Sequence, residues 1–280
     1  MTSIVIAAHN EAGVIGRCLD ALLAGAAPGE FDVTVVANGC TDDTVAAAVS
    51  RDVRVLDLPE PGKPAALNAG DRVAVGFPRV YLDADIVVSA DGLRGIATAL
   101  ASGSALAAVP RRQLELAGRP LPVRAFFAIN SRLPVYRDGL FGRGLIALSE
   151  AGRARFVDFP DVVADDLFLD SLFSPAEKIE VDSVVARVTT PRRTRDLVRR
   201  LIRVRRGNAA MRAAGVRGEV TTGARVRPAA RMSWLRDVVL PRPWLAPAAA
   251  CYVAITGLAA VAARRAGPRW GRDESSRGAS

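Results

Sequence analysis

The stretch Ser3-Ile4-Val5-Ile6-Ala7-Ala8-His9-Asn10-Glu11 and the residues after it decide the fold. Ser3 to Ala8 is a short apolar run rich in β-branched side chains. From Glu11 to Leu23, Val14, Ile15, Cys18, Leu19, Leu22 and Leu23 then recur at helical spacing. This reads as strand, loop, helix. The pattern returns with Val33 to Ala37 before a helix from Asp42 to Ser50, Val53 to Leu56 before Lys63 to Val73, and Val80 to Leu82 before Ala90 to Ala101. Such alternation predicts an α/β protein with a Rossmann-like, mostly parallel sheet and helices on both faces. Ligands of these sheets bind beyond the carboxyl ends of the strands, so the loops at His9, Asn38, Pro61 and Asp83 are expected around one site.

Further along, Leu106 to Val109 is another apolar run, Arg111 to Pro122 reads as a connection, and Val123 to Leu133 as a helix. Gly139 to Leu148 reads as a glycine-rich loop entering a strand. Thr194 to Ala214 is a basic helical stretch with Leu197, Leu201, Ile202 and Val204 on part of an apolar face, and Val216 to Arg231 is polar and irregular. We divide the chain into two halves of one domain (1–110 and 111–210) and a basic helical C-terminal extension (211–280).

Composition narrows the possibilities. With 280 residues, 50% of them hydrophobic and 24% charged, the chain is neither collagen-like nor wholly disordered. Cys18, Cys40 and Cys251 are odd in number and too dispersed for a metal knuckle. No secretory leader opens the sequence, which predicts a reduced, cytosol-facing protein. The net charge of +9 is segregated: residues 1–186 sum to −7 and residues 187–280 to +16. A basic tail suits an anionic membrane surface, a polyanionic substrate or nucleic acid, and the arginine excess also fits a GC-rich genome. Within that tail, Trp244 to Ala263 carries no charge and lies between Arg242 and Arg264-Arg265. As a helix it is long enough for a hydrocarbon core of roughly 30 Å. Its alanine content, Pro247 and Gly257 weaken insertion, so spanning, interfacial and protein-packed placements all stay open.

Tyr81-Leu82-Asp83-Ala84-Asp85 is an apolar strand ending in two carboxylates separated by one residue. Hard divalent cations take oxygen ligands and share their shell with substrate phosphates, which one or two carboxylates at a strand end can offer. Alone the triplet is equally a solvated turn; its place in the α/β pattern favours the metal. A second acidic cluster, Asp161 to Asp170, enters a helix, and adjacent Asp165 and Asp166 repel, which raises one pKa and suits it to accept a proton. A charged helix start explains the same residues. Thr41 or Asp42 caps the helix after Asn38-Gly39, leaving those two at a strand end where an amide can read a base or ribose. His9, the single histidine, is read as a wall residue beside the base, as a plain loop residue or as a proton-transfer group. No Gly-x-Gly-x-x-Gly, Walker or Gly-x-Ser-x-Gly pattern is present.

Taken together, these pieces resemble the family 2 glycosyltransferases of GT-A fold. Ser3 to Glu11, Val36 to Asp42, Gly62 to Gly70, Leu82 to Asp85 and Asp165-Asp166 come in the family's order. The resemblance covers roughly residues 1–210. It implies that His9, Glu11 and Asn38 form a nucleotide pocket bordered by Lys63 and Asn68, and that Asp83 faces the ribose or metal. Asp85 would hold Mg²⁺ or Mn²⁺ against the diphosphate, Asp166 would be the base, and Asp165 would stand where the family often has Glu. Gly142-Arg143-Gly144 would shape the donor-sugar and acceptor site, with Arg203 or Arg206 aiding the leaving diphosphate. Ala37 stands where many members have a base-contacting Asp, so the nucleotide is left open. The Gln-x-x-Arg-Trp element of processive synthases is not seen, which points to transfer of a single sugar.

The resemblance therefore implies an inverting transferase acting on a nucleotide diphosphate sugar and an acceptor hydroxyl in cell-envelope or exopolysaccharide glycan synthesis. The tail fits a polyprenyl-linked acceptor and a place on the inner face of the plasma membrane through residues 244–265. A sugar nucleotidyltransferase would share the scaffold, but it calls for a glycine- and Arg/Lys-rich phosphate loop where His9 to Gly13 stand. A nucleic-acid-binding protein would use the basic tail, yet no helix-turn-helix or RNA-binding signature accompanies it, so no nucleic-acid partner is expected.

Overall fold

The computed structural model of the protein describes residues 1–161, 164–218, 220, 226 and 232–265. Seven strands form one sheet: β1 (Thr2–Ala8), β2 (Phe31–Asn38), β3 (Arg54–Leu58), β4 (Arg79–Asp83), β5 (Ala107–Glu115), β6 (Leu145–Leu148) and β7 (Lys178–Thr189), in the spatial order β3-β2-β1-β4-β6-β5-β7. β1 pairs in parallel with both β2 and β4, β2 with β3, and β5 with β7; β6 runs antiparallel to β4 and β5. A strand buried on both faces reads as a continuous apolar run. That is why β1 was legible: Ile4 and Ile6 enter the core on one face, Val5 the core on the other.

The helices between these strands are α1 (Ala12–Leu23), α2 (Thr44–Val49), α3 (Lys63–Val73) and α4 (Ala90–Ala101), each within a residue or two of its predicted span. α1 buries Val14, Ile15, Cys18, Leu19 and Leu22 against the sheet. A fully buried side chain of this kind contributes about 1.5–3 kcal/mol, so the stripe read from the sequence is what holds the helix in place. On the other face Leu67 of α3 meets Val5 and Tyr81, in a cluster that also holds Val109, Phe156, Phe159 and Phe168.

The second half departs from expectation at one point. Arg111 to Glu115, expected as part of a connection, continues β5: after an irregularity between Pro110 and Arg111 it pairs with Val185 to Thr189 of β7. Arg112 and Leu114 are half-buried while Arg111, Gln113 and Glu115 are exposed, so the pattern is a polar alternation rather than an apolar run. The remaining helices are α5 (Leu121–Asn130), α6 (Val135–Asp138), α7 (Glu150–Arg153), α8 (Asp165–Ser171), α9 (Thr194–Arg217) and α10 (Ala246–Arg265). Val216 and Arg217, read as irregular, close α9. Positions 219, 221–225 and 227–231 of the same stretch, and 266–280 of the basic tail, lie outside the described residues.

α10 docks along one side only. Tyr252 stacks on Phe126 of α5 at 5.2 Å between ring centroids, and Ile255 joins Val123 and Leu197. Val253, Leu258 and Val261 stay exposed. The span Pro243–Arg264 has a mean hydropathy of 1.9, with 17% of it buried against the protein, and by length and composition it could cross a membrane.

Candidate active site

The direction of chain progression across the sheet reverses beside β1, so the carboxyl ends of β1 and β4 open a crevice. The four expected loops meet there. His9 Nδ1 donates to the Asn38 carbonyl at 2.6 Å, and Gly62 N donates to Asn38 Oδ1 at 3.0 Å, immediately before Lys63 opens α3. Gly39 has φ 57°, and a Cβ on it would lie 2.7 Å from the Pro61 nitrogen, so only glycine lets the two loops close on each other. Glu11 stands just before α1, its backbone N–H bonded to Thr44 Oγ1 at 2.7 Å.

Two expected pocket residues have other tasks. Asn38, expected to read the nucleotide, is buried; its amide donates to the carbonyls of Ala8 and Val36 and its oxygen takes the Gly62 bond, so it ties β1, β2 and the Gly62 turn together. Asn68, expected to border the pocket, instead makes a two-way clamp on Phe159, donating to its carbonyl at 3.0 Å and accepting from its N–H at 2.7 Å. The physical reason is the same in both: a primary amide mimics a peptide group and satisfies backbone that the sheet leaves unpaired. Asn68→Ala strands both backbone groups of Phe159 and should lower unfolding stability by about 1–3 kcal/mol, read from the denaturant midpoint.

The acidic clusters converge through one ammonium. Lys63 Nζ lies 2.8 Å from Asp83 Oδ1 at the end of β4 and 2.9 Å from Asp165 Oδ2 at the start of α8. Burial by itself would depress Lys63, but Asp165 and Asp83 overcome it and hold the ammonium well above its ordinary value. Burial, then the charge of Asp83, raises the Asp85 carboxyl, with Arg200 and Lys63 opposing. Asp166 is pushed up to about 7 by burial and by Asp165, against the pull of Lys63 and of the hydrogen bond its Oδ1 accepts from Leu167 N at 2.8 Å. Lys63 joins Asp83, two positions before Asp85, to Asp165, which adjoins Asp166, so both acidic clusters meet at one end of the sheet. Asp83 and Asp85 offer hard oxygen donors. Among the described residues no three His, Cys, Asp or Glu side chains are grouped to enclose a metal by themselves.

The loop Gly142-Arg143-Gly144 forms one wall. Gly144 has φ 68°, its carbonyl accepts from Asp83 N at 2.8 Å, and a Cβ on it would collide with Ile86 at 2.3 Å, so glycine is required for the loop to lie on β4. Arg143, expected to contact substrate, is buried and turned inward. Its guanidinium pairs with Glu180 and donates to the carbonyls of Gly139 at 2.7 Å and Tyr136 at 2.6 Å, so it fastens the loop. Asp170 does the same for α8: its Oδ1 accepts from Lys178 Nζ at 2.7 Å and from Leu140 N at 3.0 Å, both within the core. Arg203 and Arg206 are half-buried on α9. Two further arginines at this end were not singled out by sequence: Arg200, whose charge reaches Asp85, and Arg112, stacked 4.0 Å over the Tyr136 ring. Arg112 lies outside the basic tail and Arg200 within an arginine-rich run of it, so charge alone marks neither out.

Comparison with known proteins agrees with this architecture. The sequence profile of glycosyl transferase family 2 matches residues 3–144, just over half of the chain. No curated protein sequence matches significantly. Among solved structures, a mannosyltransferase from Pyrobaculum calidifontis in complex with GDP-Man and Mn²⁺ superposes with a TM-score of 0.61 at 22% identity, over 94% of this chain and 78% of that one. A glucosyl-3-phosphoglycerate synthase from Mycobacterium tuberculosis, in complex with Mn²⁺, UDP and glucosyl-3-phosphoglycerate, gives 0.56 at 20% identity, over 76% and 79%. At these identities the likeness speaks for the fold, which is GT-A. With that fold, and with its first 144 residues carrying the family's pattern, the chain belongs to glycosyl transferase family 2.

Proposed function

We propose that the protein is an inverting, metal-dependent glycosyltransferase that moves one sugar from a nucleotide diphosphate sugar to an acceptor hydroxyl, in the building of cell-envelope or exopolysaccharide glycans. The observation that carries this reading is the Lys63 ammonium held between Asp83 and Asp165, which joins the two acidic clusters in one cleft. The donor set fits Mg²⁺ or Mn²⁺: two strand-end carboxylates, all-oxygen, with too few protein ligands to enclose an ion and hence room for diphosphate oxygens. When bound at Asp85 and Asp83, the ion supplies positive charge against the leaving diphosphate.

The protein's own residues supply the rest. Asp166 takes the proton from the acceptor hydroxyl as that oxygen bonds to the anomeric carbon and the bond from that carbon to the diphosphate breaks. One displacement inverts configuration. Asp165, paired with Lys63, keeps α8 against the end of β4, and His9 and Glu11 line the nucleotide side. Arg203 and Arg206 add positive charge from α9.

A thermal-shift panel of UDP-, GDP- and dTDP-sugars with and without Mn²⁺ tests this directly. A ligand at 100 times its dissociation constant adds about 2.7 kcal/mol to apparent stability, so one nucleotide should raise the midpoint clearly, and only with metal. No shift from any of them would discard the assignment.

The same reading places the protein at the cytosolic face of the membrane, with a lipid-linked acceptor, on the strength of the exposed apolar side of α10. The double substitution Leu258→Glu and Val261→Glu alters exposed positions only and should release the protein from anionic vesicles in a flotation assay, with the thermal midpoint unchanged. Retained flotation would remove α10 as the anchor.

A further inference from the structure

We propose that α10 does not cross the membrane but lies along it, its exposed side seated in the anionic lipid of one leaflet while its other side stays docked on α5 and α9. This placement rests on the membrane association proposed above and adds the mode of contact.

Length and composition leave the mode undecided, because the 20 residues of α10 make a helix of about 30 Å, enough to span. What the helix touches decides it. The docked side runs from Ala249, clustered with Ile129 and Val238, through Tyr252 on Phe126, to Ile255, clustered with Val123 and Leu197; Ala259 beyond it is fully buried. Ile255 is at the middle of α10, so in a spanning helix it would mark the bilayer midplane, and every group fixed at its level would share that depth. Leu197 is flanked on α9 by Arg195 and Arg199, whose side chains are 62% and 71% exposed and which share Asp196 at 3.7 and 3.6 Å. Arg124 is exposed on α5 directly after Val123, and Glu115 is exposed between Leu114 and Leu116, which pack on the same cluster. The hydrocarbon reaches roughly 15 Å to either side of the midplane, whereas one helical turn is about 5 Å. Spanning would therefore carry these charges into hydrocarbon, where each is strongly disfavoured. The alternative, release of α10 from α5 and α9, would uncover Phe126, Val123 and Leu197.

Lying flat removes the conflict. The outward side carries Val253, Leu258 and Val261 with Ala250, Ala254 and Gly257 between them, and a Cβ on Gly257 would meet open space. Trp244, 72% exposed, stands at one end beside Arg242, and exposed Arg264 stands at the other. An apolar side bounded by an interfacial tryptophan and by arginines suits the boundary between headgroups and acyl chains. Charge selects the lipid: residues 187–280 sum to +16, and Arg195, Arg199, Arg236 and Arg264 hold part of that charge outside, where anionic headgroups attract it. The cleft is fixed relative to this layer. Asn130, at the end of α5, donates to the Tyr136 hydroxyl at 3.3 Å, and a Cβ on Gly142 would lie 3.1 Å from the Tyr136 ring, so the wall at Gly142 to Gly144 is braced on the helices that rest on the lipid.

The test places one added cysteine at a time in the full chain, in bacterial inner membranes prepared right-side-out or inverted, and counts maleimide-polyethylene glycol additions above those of the wild type. Ala246→Cys and Arg264→Cys mark the two ends of α10 and Leu258→Cys its outward side; all three positions are exposed. Both ends should react in inverted membranes and neither in right-side-out ones. Leu258→Cys should react about tenfold or more slowly than either end in inverted membranes, and fully once sodium dodecyl sulfate dissolves them. An end that reacts only in right-side-out membranes shows a helix that crosses, and overturns the proposal. Leu258→Cys reacting as fast as the ends also overturns it, because lipid would not cover that side, and so does its coupling in pairs on mild oxidation, which would give the face to a second copy of the chain. A wild type that does not sediment with membranes would instead overturn the membrane association itself.

Discussion

Asp166→Asn is expected to lower kcat by roughly 10²–10⁴-fold, the usual range for loss of general-base help, while Mn²⁺-dependent donor affinity stays within a factor of a few. The substitution keeps shape and the hydrogen bond to Leu167 N but removes the basic oxygen. Asp166 is also raised to about 7, chiefly by burial and then by Asp165. A base must be unprotonated, so kcat/KM of the wild type should fall as pH drops below about 7, and that acidic limb should vanish in the residual activity of the variant. Stability carries an opposite signature. A carboxyl whose folded pKa lies above its unfolded one binds more protons when folded, so the ligand-free protein loses stability as pH rises from about 4 to about 7. Asp166→Asn relieves that loss and should raise the thermal midpoint at pH 8 but not at pH 4. Unchanged turnover would remove Asp166 from the mechanism; lost turnover with an unchanged pH profile of stability would remove the account of its pKa.

Asp85→Ala is expected to weaken donor binding in the presence of Mn²⁺ by about 10²-fold or more and to cut kcat/KM by at least as much, since charge stabilisation at the leaving group is a term of several kcal/mol. Its ligand-free state should behave oppositely. Asp85 is desolvated and sits beside Asp83, so removing its charge relieves repulsion, and the variant should melt no lower than wild type without metal. The two measurements together separate a ligand from a structural acid: a structural Asp85 would give a lower midpoint without metal and a parallel, metal-independent loss of activity. Lys63 makes the prediction sharper. In the ligand-free protein its ammonium already neutralises part of the charge of Asp83 and Asp165, so the site tolerates an empty state without unfolding.

Both predictions depend on residues that the sequence offered with unequal clarity. Asp83 and Asp85 were readable because they end an apolar strand, and the strand was readable because a parallel sheet buries both faces. Asp165 and Asp166 were visible as an acidic helix start, but nothing local distinguished a capped terminus from a base. The distinction lies in what surrounds α8: Phe159 clamped by Asn68, Asp170 held by Lys178 and Leu140 N, and Lys63 arriving from α3. Asn38, Asn68 and Arg143 have the chemistry of substrate contacts and fasten the fold instead, because an amide or guanidinium serves backbone and ligand equally well until its partners are known. The second half of β5 was missed for a related reason. Arg111 to Glu115 pairs with β7 at the rim of the sheet, where alternate side chains remain outside and no apolar run forms.

The α/β alternation, the spans of the first four helices and the strand-end placement of the carboxylates are encoded by periodicity and spacing within a few tens of residues, and the motifs of residues 3–144 carry the membership of family 2. Which polar side chains face the cleft and which are consumed within the protein depends on packing between distant segments. Hydrogen-bond partners are fixed by residues distant in the chain, and burial decides whether a carboxylate, an amide or an arginine keeps its ordinary chemistry.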